Sequence, residues 1–64
     1  MKLKNLQRDK KYAGDRIHIF ADRRGERINL YQGYVYLIQA GLLEHEILEM
    51  GYRASNALEV KINW

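Results

Sequence analysis

At 64 residues the chain has room for one domain, 1–64, and at that size it can bury only about 60% of the surface exposed when unfolded. It has no cysteine, which excludes disulfides and thiolate metal sites, and oligomerisation or an efficient core is left to support so small a fold. The net charge of +3 is unevenly spread: residues 1–27 carry nine basic against four acidic side chains, a balance of +5, and residues 28–64 carry two against four, a balance of −2. Such a dipole steers an anionic partner to the basic end, or brings two copies together head to tail.

Residues 1–12 contain Lys2, Lys4, Arg8, Lys10 and Lys11 around Leu3. They read as a basic arm or as an edge strand whose lysines discourage unwanted pairing. No apolar stretch follows the charged start, as a secretory signal requires, and no run approaches membrane-spanning length. A cytoplasmic protein without membrane partners is the expectation.

Two alternating segments follow. Ile17 and Ile19 share one face of 16–21, Ile28 and Leu30 share one face of 26–31, and Asp22-Arg23-Arg24-Gly25 between them has turn composition. A β-hairpin over about 16–31 is predicted. Tyr34-Val35-Tyr36-Leu37-Ile38 has strand composition over about 33–39, while Tyr34, Leu37, Ile38 and Gly41 also fit a helix face, so 32–50 reads alternatively as a broken helix. Leu43, Ile47 and Met50 are at helical spacing before Gly51, which predicts a short helix over about 42–50 with a glycine cap. Leu58, Val60, Ile62 and Trp64 alternate with Glu59, Lys61 and Asn63, the cleanest strand pattern in the chain, over 58–64. The expected architecture is α+β: a small antiparallel sheet packed against one short helix.

Chemistry-bearing motifs are sparse. His45-Glu46-Ile47-Leu48-Glu49 follows the first four positions of the zinc-protease H-E-x-x-H helix, but Glu49 stands where the second histidine ligand belongs. A solvated helix face is the better account of it, and of Glu44, Glu46 and Glu49 together. Ser55 is the one serine and lies in a polar connection without the surroundings of a nucleophile. The five glycines form neither a dinucleotide fingerprint nor a phosphate loop and read as turns and caps. No acid, base and nucleophile set emerges, so the expectation is a protein that is not an enzyme, with no cofactor and no metal.

The basic residues carry the functional expectation. Lys10, Lys11, Arg16, Arg23, Arg24 and Arg27 lie before or within the predicted hairpin, and cations of this kind dominate affinity for nucleic-acid phosphates. A small regulatory protein that binds nucleic acid through its basic half and hairpin tip is the first reading. The alternative is a protein-binding inhibitor or adaptor using an aromatic surface or sheet edge, as a homodimer in one version. Tyr34, Tyr36 and Trp64 are then the partner or dimer contacts, because tyrosine and tryptophan supply large anchoring area at interfaces.

Overall fold

The computed structural model describes residues 1–64. Two hairpins lie side by side in one four-stranded sheet: β1 (Arg16–Arg23) with β2 (Glu26–Tyr34), and β3 (Ile47–Ala54) with β4 (Ala57–Ile62), in the spatial order β2-β1-β4-β3. Each hairpin is antiparallel. They join along a parallel seam in which Ile17 pairs with Leu58, His18 with Glu59 and Ile19 with Val60. The α+β class is as expected, but the sheet is mixed rather than antiparallel.

The first hairpin has the expected position and runs on to Tyr34. Arg24 and Gly25 occupy its two-residue loop at φ 53° and 80°, between the paired Arg23 and Glu26. Positive φ at both loop positions is the type I′ geometry, whose twist matches that of the flanking strands. A bulge opposite Ile19 and Phe20 leaves Leu30 unpaired on β2, and Leu30 and Tyr31 both pack against the core.

The second hairpin overturns an expectation. Residues 47–54 are a strand, not the end of a helix over 42–50, and residues 35–46 hold only two 3-10 turns, Val35–Leu37 and Ala40–Leu42. The topology supplies the reason. β2 and β3 are opposite edges of the sheet, so the segment between them must cross three strand spacings, about 14 Å, over one face. A strand over 33–39 cannot make that crossing, and a helix over 42–50 would leave β4 with no neighbour on its outer side. The broken-helix alternative comes nearest for 35–42: Val35, Ile38 and Leu42 turn inward from the crossing and are buried.

Residues 1–12 are neither an arm nor an edge strand. They form a helix, α1 (Leu3–Arg8), and a 3-10 turn, Lys10–Tyr12, with Leu3, Leu6 and Tyr12 buried. Six residues are too few for a helix to persist alone, and docking holds this one. The Leu3 and Lys4 amides donate to the carbonyls of His45 and Leu43 at 3.1 and 2.9 Å, and the Lys2 amide donates to Asn5 Oδ1 at 3.0 Å. One antiparallel bridge between Lys2 and Glu46 is the only strand-like pairing in the segment.

The core is the meeting of this covering layer with one face of the central strands: Leu3, Leu6, Tyr12, Val35, Ile38 and Leu42 against Ile17, Ile19, Leu58, Val60 and Ile62. β4 carries the alternation expected of it, but it ends at Ile62, and Trp64 lies beyond it, 44% exposed. No element packs on the opposite face, where His18, Phe20, Arg27, Asn29, Gln32, Glu49, Glu59 and Lys61 stand.

Candidate functional site

Ion pairing decides which charges are available. Lys2 and Lys4 both reach Glu44 at 3.2 Å, the N-terminal amine reaches Glu46 at 3.2 Å, and Lys61 bridges Glu49 at 3.0 Å and Asp22 at 3.2 Å. Hydrogen bonds from Lys4 and then Lys2 hold the Glu44 carboxyl below its ordinary range. Hydrogen bonds to Glu49 and then Asp22 push the Lys61 ammonium above its own. The charge split along the chain therefore partly closes on folding, because the leading lysines neutralise glutamates of the rear half. None of the six arginines enters an ion pair.

Four of those arginines, Arg16, Arg23, Arg24 and Arg27, belong to the β1–β2 hairpin, and three of them lie against aromatic rings. Arg16 is 5.5 Å from the Tyr34 ring, Arg27 is 4.0 Å from Phe20 and Arg23 is 4.9 Å from Trp64. Arg27 faces Asp22 across the hairpin, yet Asp22 turns to Lys61, so the guanidinium covers Phe20 and keeps that ring buried on an otherwise uncovered face. Strand alternation puts Arg16 and Arg27 on the uncovered face and Arg23 on the other side at the tip. At about 3.3 Å per residue the arginines span about 23 Å from Arg16 to Arg23.

The expected residues are thus only partly brought together. Lys10 and Lys11 sit in the covering layer, with Lys11 5.5 Å from the Tyr12 ring, away from the face that carries Arg27. Tyr34 and Tyr36 form an exposed tilted pair with ring centroids 5.7 Å apart, next to Arg16. Trp64 joins Arg23 at the far end. Residues assigned to two different partners from the sequence are neighbours in the fold.

A depression of about 410 Å³ opens at the Arg16 end of the uncovered face, with Arg16, His18, Gln32 and Arg53 among its walls. Arg53 was hidden from sequence reading because residues 52–56 read as a polar connection. It is the unpaired residue of a β-bulge between Tyr52 and Ala54. His18 braces the centre of the face: Nε2 lies 3.0 Å from Asn29 Oδ1, Nδ1 lies 3.9 Å from the Glu59 carboxylate, and its ring tilts against Phe20. Nδ1 is buried without a hydrogen bond. On the covered side the Tyr52 hydroxyl donates to Asp15 Oδ2 at 3.3 Å, and desolvation followed by the Asp15 charge raises its pKa.

The protease-like segment is dispersed. His45 Nδ1 donates to the Asn63 carbonyl at 2.8 Å, Glu46 meets the N-terminal amine and Glu49 meets Lys61. No three histidine or carboxylate side chains converge as metal ligands do, and no helix is long and apolar enough to cross a membrane. No protein-family model, curated protein or solved structure matches the chain, so the site is read from its own chemistry.

Proposed function

We propose that this protein is a small, non-catalytic regulatory module that binds nucleic acid, with the β1–β2 hairpin as its contact element. The observation that carries this reading is that Arg16, Arg23, Arg24 and Arg27 have no carboxylate partner, whereas three of the five lysines do. Free guanidinium groups offer forked donors to phosphate oxygens. Arg16 and Arg27 lie about 20 Å apart on the uncovered face, the length of about six phosphates of one duplex strand at about 3.4 Å each, with Arg24 at the tip beyond them and Arg23 on the other side. Tyr34 and Tyr36 next to Arg16 add ring faces on which unpaired bases stack. Lys10 and Lys11, in the covering layer, play a lesser part in this reading than the hairpin arginines.

Fluorescence anisotropy with labelled single-stranded and duplex oligonucleotides at low salt tests it. The variant with Arg16, Arg23, Arg24 and Arg27 all changed to Ala is expected to lose at least roughly tenfold in affinity, and Lys10→Ala with Lys11→Ala to lose much less. Equal binding by the wild type and the four-arginine variant would remove the hairpin from the account.

A second reading, a protein-binding inhibitor or adaptor, is favoured by one observation: the Tyr34 and Tyr36 rings pair at 5.7 Å, and Tyr34, Tyr36 and the neighbouring Leu37 are 43%, 62% and 58% exposed. Apolar surface of this kind suits a protein contact. Capture of partners from host lysate with and without nuclease separates the two. A nuclease-resistant protein partner lost on Tyr34→Ala with Tyr36→Ala supports this second reading.

A further inference from the structure

Beyond Ile47, whose amide donates to the Met1 carbonyl at 2.8 Å, the outer edge of β3 is free, and β3 exposes Leu48, Met50 and Tyr52, at 55%, 41% and 52%. Edge strands of natural proteins are protected by lysine, proline or bulges. β3 contains neither lysine nor proline, and its two bulges, at Leu48 and Arg53, leave Glu49 to Tyr52 regularly paired with β4. We propose that a second copy of this chain pairs with this edge, β3 against β3, antiparallel about a two-fold axis at Gly51.

Symmetry and charge select that register. Two identical strands paired antiparallel have their two-fold axis perpendicular to the sheet, so both covered faces fall on one side and opposed residues must share a face. Met50 and Tyr52 lie on the covered face, as partners of Val60 and Leu58. Glu49, the partner of Lys61, lies on the uncovered face, and Arg53 borders both depressions of that face. Centring the pair on Met50 sets Glu49 against Gly51, and centring it on Glu49 opposes two carboxylates. Centring it on Tyr52 sets Arg53 against Gly51.

Only the axis at Gly51 sets Glu49 against Arg53 of the other copy, twice, with Met50 against Tyr52, twice, where sulfur meets ring. Lys61 occupies Oε2 of Glu49, which leaves Oε1 for the incoming guanidinium, and Arg53 has no carboxylate in its own chain. The outcome is a continuous eight-stranded sheet with the two basic hairpins at its outer margins. This assembly does not depend on what those hairpins bind.

Sedimentation equilibrium of the full chain over a wide concentration range tests the proposal, with circular dichroism to establish that each variant is folded. The wild type is expected to dimerise. Glu49→Arg and Arg53→Glu should each weaken association by roughly tenfold or more, and the double swap E49R/R53E should restore much of it, because the opposed pair is regenerated with its signs exchanged while Lys61 keeps only Asp22. Since the chain has no cysteine, Gly51→Cys gives an independent register probe. Directly opposed Cα atoms, about 4.5–5.5 Å apart, permit a disulfide, so this variant should cross-link to itself on oxidation and Met50→Cys should not. A wild type that stays monomeric up to millimolar concentration overturns the proposal. So does a dimer whose folded double swap is not restored and whose Gly51→Cys variant does not cross-link.

Discussion

The two hairpins have the same antiparallel pairing and the same two-residue loop length, and they use charge in opposite ways. In β1–β2 the loop residues both take positive φ and the four arginines are left without carboxylates. In β3–β4 the loop Ser55-Asn56 has no positive φ, a bulge at Arg53 adjusts the twist instead, and Lys61 is held between Glu49 and Asp22. One hairpin presents four unpartnered cations, and the other ties down Lys61, leaves Arg53 alone without a carboxylate and exposes apolar groups along its edge strand. The contrast teaches that charge totals along a sequence are a poor guide to surface potential in so small a fold, because lysines at positions 2 and 4 reach a glutamate at position 44.

The largest effect is expected where the hairpins meet. Ile19→Ala, at a fully buried position on the parallel seam, should cost about 2–5 kcal/mol in urea denaturation. That is much of the roughly 3–10 kcal/mol available to a chain of this length. Leu48→Ala, on the β3 edge, should change the stability of the monomer by less than about 0.5 kcal/mol. If the two variants behave alike, the assignment of the seam as core and the β3 edge as surface is wrong.

Gly33→Ala comes next. A Cβ at Gly33 would lie 2.6 Å from the Tyr31 hydroxyl oxygen and 3.0 Å from its ring carbon. The ring must move and release its 2.8 Å hydrogen bond to the Tyr34 carbonyl, at a cost of about 1–3 kcal/mol. Thermal melts of Gly33→Ala and Gly51→Ala sharpen the comparison, because a Cβ at Gly51 meets nothing within 4 Å and that substitution should be tolerated by the monomer.

A smaller effect of opposite sign is expected at the first loop. Arg24 holds φ 53°, a conformation that glycine adopts without the steric penalty of a side chain, so Arg24→Gly should raise stability by about 1 kcal/mol. Nucleic-acid affinity should fall in the same variant. Stability and binding moving together would contradict a role for Arg24 in phosphate contact.

The smallest effect concerns pH. The Glu44 carboxyl is held below its ordinary range by Lys4 and Lys2, so its contribution is present above the unfolded-state pKa and is lost as pH falls through the lowered folded-state value. Melting temperatures of the wild type and Glu44→Gln should therefore differ slightly at neutral pH and converge in acid. A difference that grows on acidification would contradict the Lys2–Glu44–Lys4 arrangement.

Much of this fold was legible where one face of a strand is buried. Ile17 with Ile19, and Leu58 with Val60 and Ile62, alternate because the covering layer lies on one side only, and the first hairpin and last strand follow from that. β3 gave no such signal, since no residue in it is fully buried. Leu43, Ile47 and Met50 have helical spacing by coincidence, as Leu43 and Ile47 pack on the core from a turn and from a strand start. The helix in residues 1–12 is not legible in the sequence because the lysines mask the Leu3 and Leu6 pair, whose burial depends on carbonyls more than 35 residues away in the chain. Of the candidate site, the hairpin arginines were visible from composition. Arg53 and the caged Phe20 were not, because both depend on which strand lies beside which.

The central claim is that four unpartnered arginines make β1–β2 a polyanion-binding element, and the salt dependence of oligonucleotide affinity tests it most directly. Four phosphate contacts predict a slope of log affinity against log salt of about −3 for a single strand. The variant lacking Arg16, Arg23, Arg24 and Arg27 should flatten that slope while retaining its fold. Wild-type binding that does not respond to salt, or a slope unchanged in the variant, would contradict it.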